Sequence, residues 1–86
     1  MPEISRFFGI VIAMYYNDHA PPHFHARYGE SEIRINIENG QILSGEFPPR
    51  AKNLVLEWLE LNRDKLIEDW ELAEQRKPLK MIEPLE

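Results

Sequence analysis

The sequence predicts an α+β fold: a four-stranded antiparallel meander over residues 4–47, then two helices over residues 49–77. Three observations carry this. Residues 1–47 break into runs bounded by Gly, Pro, Asn and Asp. Apolar residues alternate at a period of two over His23–Tyr28 and again over Glu32–Ile37. Residues 50–77 contain neither Gly nor Pro and are rich in Leu, Glu, Lys and Arg. Strands first and helices second is the segregated α+β arrangement, not the alternation of a doubly wound sheet.

The first strand is read over Phe7–Tyr16, which is apolar on both faces and so predicts a central position. Its β-branched and aromatic content, and the turn signal Asn17-Asp18 after it, favour strand over buried helix. Pro21-Pro22 then sets an extended entry to the second strand. Gly29-Glu30 predicts a tight turn, and the third strand points Ile33, Ile35 and Ile37 inward. Asn39-Gly40 predicts a two-residue type I′ hairpin, because both central positions of that turn need positive φ. Gln41–Phe47 makes the fourth strand, with Gly45 at a bulge.

Pro48-Pro49 opens the helical half, where a missing N–H costs nothing. Leu54, Val55, Trp58, Leu59, Leu61 and Asn62 form one apolar stripe, and Leu66, Ile67, Trp70 and Ala73 a second. A single kinked helix would be long for a domain of this size, so the phase change near Asn62 is read as a break capped by Asn62 or Asp64. Pro78 ends the second helix, and Lys80-Met81-Ile82 adds a short strand or tucks against the sheet.

The length of 86 residues predicts one small domain, 1–86, with a core small enough to lean on a partner or a second copy. A 43 % apolar and 29 % charged composition is that of a globular chain. Without cysteine there is no disulfide scaffold, thiolate zinc finger or cysteine nucleophile. The longest uncharged run, Phe7–Asn17, is too short to span a bilayer and lacks the features of a signal peptide. No membrane role and a cytoplasmic location are the default expectations. The net charge of −5 argues against a broad electrostatic grip on nucleic acid, though not against a local basic patch.

Chemistry concentrates in Asn17–Arg27, which holds all three histidines, His19, His23 and His25. On a strand, His23, His25 and Arg27 share one face, and Arg34 and Asn36 lie across the Gly29 turn. Two chemical readings stand side by side. In one, Asp18, His19, His23 and His25 bind a divalent transition metal such as zinc, leaving a position open for water. In the other, His23 and His25 move protons without a metal while Arg27 holds charge on a phosphoryl group and Arg34 and Asn36 bind substrate. Against both stands a plain polar strand face in solvent, with Asp18 a turn residue. Trp58 and Trp70 read as core or interface anchors. The acidic helix surface reads as a solvated face or the side that meets a basic partner.

The run Met1–Ile12, together with Tyr16-Asn17-Asp18-His19-Ala20-Pro21-Pro22-His23-Phe24-His25-Ala26-Arg27-Tyr28-Gly29, resembles the small bacterial domain-of-unknown-function family 4160. The likeness extends through Gly40, Trp58, Trp70 and the closing Pro78-Leu79 and Ile82-Glu83-Pro84. The resemblance implies one half of a type II toxin–antitoxin gene pair, with a second small protein encoded nearby. It implies, by class analogy, a toxin that acts on RNA through the histidine face. The alternative is a non-catalytic binding module or antitoxin that binds a metal through the same residues, pairs with a partner protein or forms a homo-oligomer.

Overall fold

The computed structural model describes residues 2–16 and 18–86; Asn17, half of the turn signal above, lies outside them. Five strands form one antiparallel sheet in chain order: β1 (Glu3–Phe7), β2 (Ile10–Ala13), β3 (His23–Tyr28), β4 (Ser31–Asn36) and β5 (Ile42–Gly45). One helix, α1 (Pro49–Glu74), follows. The α+β class stands, with one strand more and one helix fewer than the sequence predicts.

The extra strand, β1, lies just ahead of the run read as one central strand, whose first residues make the turn. Phe8 (φ 50°) and Gly9 (φ 80°) both take positive φ, and Phe7 pairs with Ile10, so the chain reverses in a two-residue turn. The run holds the last residue of β1, the turn and β2, and it is apolar on both faces because β2 is buried at Ile10, Ile12 and Ala13 and half-buried at Val11. Gly9 is needed twice over: for its φ, and because a Cβ there would press on the Tyr28 ring at 3.3 Å.

The Gly29-Glu30 turn forms as expected, joining Tyr28 to Ser31. Asn39-Gly40 does not make a two-residue hairpin. Asn36 and Gln41 close a longer loop, in which Gly40 has φ +75° and its N–H donates to the Asn36 carbonyl at 2.9 Å. The Asn36 side chain decides this, since its Oδ1 accepts the N–H groups of Glu38 (2.7 Å) and Asn39 (3.3 Å). Ile37 therefore sits in the loop, still fully buried. The β4–β5 register slips at Leu43, between the Ile35↔Ile42 and Arg34↔Ser44 pairs. Gly45 (φ +87°) follows, where a Cβ would collide with the Glu32 carbonyl.

Helix α1 covers one face of the sheet. Its buried residues Ala51, Val55, Trp58, Leu59, Asn62, Leu66, Trp70 and Ala73 keep helical spacing and meet Phe24, Ile33 and Ile35. Trp58 is fully buried, 5.4 Å from the Phe7 ring and 5.7 Å from the Phe24 ring. Leu61, placed in the stripe by sequence, is exposed, as expected for a position about 200° round the helix from Leu59. The phase change near Asn62 is real, but it is a kink and not a break: Asn62 has φ −129° and ψ 18°. Its side-chain amide donates to the Trp58 carbonyl at 2.9 Å, the acceptor that a regular helix would give to its backbone N–H. Arg63 then ties the helix to the β4–β5 loop, donating to the Ile37 carbonyl at 2.9 Å. No helix is long and apolar enough to cross a membrane among the described residues.

The helix ends with Arg76 at φ +58°. Its N–H reaches the Ala73 carbonyl and the Lys77 N–H the Leu72 carbonyl, which satisfies two terminal acceptors. The tail adds no strand among the described residues, but it does tuck against the sheet. The Ile82 N–H donates to the Ile4 carbonyl at 2.7 Å, Trp58 Nε1 donates to the Glu83 carbonyl at 2.8 Å, and Ile82 and Leu85 are buried.

Asp69 pins this tail by accepting the Lys80 N–H at 2.9 Å on Oδ1, while its buried Oδ2 has no partner among the described residues. Burial pushes its carboxyl above the ordinary value; the Lys80 N–H opposes this and the nearby Glu68 adds to it. The folded state thus holds the proton more tightly than the unfolded chain. Stability should be greatest below the ordinary carboxylate pKa and fall as pH rises through the window up to the raised one. Asp69→Asn keeps the acceptor and removes the charge. It should raise stability at pH 7 by about 1 kcal/mol, a Tm gain of roughly 4–8 °C, with no gain below about pH 4. Thermal melts of both proteins from pH 3 to 8 check this; an equal offset at every pH would overturn it.

Candidate functional site

Because α1 covers the face that carries Phe24, Ile33 and Ile35, the alternate residues of β3 and β4 turn the other way. Register places His23 opposite Asn36, His25 opposite Arg34 and Arg27 opposite Glu32. The histidine face is therefore not the face under the helix. It is nonetheless shielded, since Asp18, ahead of β3, lies against the His23 and His25 rings and His23 is buried. Pro22 holds the loop by accepting the Ile37 N–H at 3.0 Å.

Asp18 Oδ2 lies 2.9 Å from His23 Nε2 and 3.2 Å from His25 Nε2. Its Oδ1 accepts the His19 N–H at 2.9 Å. Burial pushes the Asp18 carboxyl up. The hydrogen bond from His25, the His19 N–H and the neighbouring His23 outweigh that and hold it below its ordinary value, as a carboxylate.

His23 is 2 % exposed, and its ring lies 5.2 Å from the Trp70 ring, where the second half of α1 passes the end of β3. Its Nδ1 donates to the Pro21 carbonyl at 2.8 Å. A carbonyl only accepts, so this contact assigns the hydrogen to Nδ1. The opposite nitrogen then faces a carboxylate oxygen, and the gap between them calls for a second proton or a metal ion. His25 is also flanked by oxygen on both sides, with Nδ1 3.4 Å from Glu32 Oε2. The Tyr15 ring stands edge-on to it at 4.4 Å.

One ligand atom each from Asp18, His23 and His25 lie within 4.8 Å of one another. Ligands about 2.1 Å from one ion stand roughly 3.0–3.4 Å apart, and the two Asp18–histidine separations, 2.9 and 3.2 Å, are close to this. A metal-ligating histidine commonly gives its other N–H to a carbonyl or carboxylate, as Pro21 and Glu32 stand ready to accept here. Two imidazoles and one carboxylate suit zinc, nickel, copper or iron better than magnesium or calcium.

The other residues singled out by sequence lie elsewhere. His19 is exposed and brings its backbone N–H to Asp18, while its ring is not part of the converging set. Arg27 is exposed and lines a crevice with His25, Glu32 and Tyr15 of about 10 Å³, room for no more than one water. Arg34 Nε donates to Ser44 Oγ at 2.9 Å. Asn36 spends its side-chain oxygen on its own loop.

Sequence reasoning missed Glu32, Tyr15 and the Pro21 carbonyl. Counting across the Gly29-Glu30 turn would have placed Glu32 opposite Arg27, on the same face as His25 and diagonal to it. Nothing local marked Tyr15, because β2 meets β3 only after a long loop.

Comparison with curated proteins and with solved structures gave no match. A family model described as a domain of unknown function (DUF4160) matches residues 9–71. The matched span runs from the first hairpin, through Asp18, His23 and His25, into the second half of the helix. It covers well over half of the chain, which therefore belongs to the DUF4160 family.

Proposed function

We propose that this protein is a metal-binding module that takes one divalent transition-metal ion at Asp18, His23 and His25. The observation that carries the reading is the hydrogen-bond arrangement of His23: Nδ1–H is spent on Pro21, and Nε2 is aimed at Asp18 beside His25. Calorimetric titration of chelator-treated protein with zinc is the test. One site per chain at micromolar affinity or tighter is expected, since both second-nitrogen contacts are already in place. Titration with copper(II) or nickel(II) should quench Trp70, which packs on His23. Absence of heat with every one of these ions would overturn the proposal.

The setting we propose for this module follows the family resemblance: one half of a paired toxin–antitoxin system. The crevice of about 10 Å³ beside His25 favours the non-catalytic arm over a toxin that cleaves RNA, because it has no room for a nucleotide. Induction of this chain alone in a bacterial host should therefore leave growth unchanged. Growth arrest that disappears in a His23→Ala, His25→Ala variant of equal abundance would reverse that assignment.

A further inference from the structure

A second feature lies at the far end of β3. His23 opens that strand and Tyr28 closes it, roughly 17 Å away. There the Phe8-Gly9 turn, Tyr28 and the start of α1 enclose a groove of about 350 Å³, walled by Phe8, Tyr28, Pro48 and Leu54. Phe8 is 59 % exposed and Tyr28 41 % exposed. The Phe47 ring stands edge-on to Tyr28, 6.2 Å away.

Phe8 is the anomaly. At φ 50° it occupies a region that a bulky side chain rarely adopts, at a turn position where Asn or Gly forms more readily. Its ring is held mostly in water, so folding gains little from the strain. Arg50 is the only charged residue in the lining, and it meets no carboxylate among the described residues, although the chain carries a net charge of −5. Exposed aromatic rings around an unpaired arginine are the side chains that dominate protein interfaces.

We infer that this groove is a docking site for a partner protein, which it engages through a segment presenting a large apolar side chain next to a carboxylate. The apolar side chain lies against Phe8 and Tyr28, and the carboxylate pairs with Arg50. The lack of any acidic residue in the lining selects the sign of the ligand. This site is independent of the metal centre and stands whether or not a metal binds there.

The test is selection of a phage-displayed random dodecapeptide library on the intact protein, followed by affinity measurement of the enriched peptides. The expected consensus sets Asp or Glu beside Leu, Ile, Phe or Trp. Phe8→Asn, which suits the turn and should leave the melting temperature equal or higher, should weaken binding at least about ten-fold. Arg50→Ala should remove the preference for the acidic peptide over its amide counterpart. Failure to enrich any peptide, or enriched peptides without an acidic residue, would overturn the inference. So would peptides that bind Phe8→Asn as well as the parent. Sedimentation at rising concentration supplies the last arm: a dimer abolished by Phe8→Asn would assign the groove to a second copy instead.

Discussion

Trp58→Ala is expected to lower stability by about 3–5 kcal/mol, measured by urea unfolding at pH 7. Trp58 is fully buried, sits against the Phe7 and Phe24 rings, and donates from Nε1 to the Glu83 carbonyl. Truncation leaves a cavity between helix and sheet and strands that carbonyl. A chain of 86 residues has a total stability of roughly 4–13 kcal/mol, so much of it would be lost. Trp58→Phe should cost less, because it keeps the ring contacts and loses only the Glu83 bond and part of the volume. A loss of under about 1 kcal/mol for Trp58→Ala would mean that the tail and helix do not close over a dry core.

Substitution at the donor cluster should abolish metal-dependent stabilisation. If zinc binds the folded chain alone, a free concentration of 100 times its Kd adds about 2.7 kcal/mol and raises the melting temperature accordingly. Asp18→Asn keeps the shape but removes the anionic ligand, and should weaken binding by roughly 100-fold. His23→Ala should remove binding altogether, at some cost in stability because the Trp70 contact and the Pro21 hydrogen bond go with it. His19→Ala is the internal control: its ring lies outside the converging set, so the zinc-induced shift should be intact. A zinc shift that survives Asp18→Asn and vanishes in His19→Ala would move the ion to the exposed loop.

Much of this arrangement was legible in the residues. Period-two alternation put His23, His25 and Arg27 on one face of β3 and aimed Ile33 and Ile35 at the core, and side chains on a strand have no other choice. Helical spacing identified Trp58 and Trp70 as buried, and the phase change located the kink at Asn62. These are local properties, set by backbone geometry over a few residues. The first hairpin was hidden because Phe8 occupies a turn position that usually signals itself through Asn, Asp or Gly. The β4–β5 loop was misread because the Asn36 side chain, several residues upstream, captured the backbone donors that a tight turn would have used differently.

Sequence alone therefore determined the α+β class, the inward faces of β3 and β4, and the pairing of two histidines on the outer face. Tertiary structure decided which third group joins them. Asp18 meets both rings in a segment whose Pro22 is held by Ile37, while the adjacent His19 is turned into solvent. Glu32 enters from the neighbouring strand β4, Tyr15 from the segment that follows β2, and Trp70 from a helix separated from β3 in the chain by two further strands. Side-chain periodicity is a property of each strand, but the meeting of donors from separate segments depends on loop closure and packing, which no local pattern encodes.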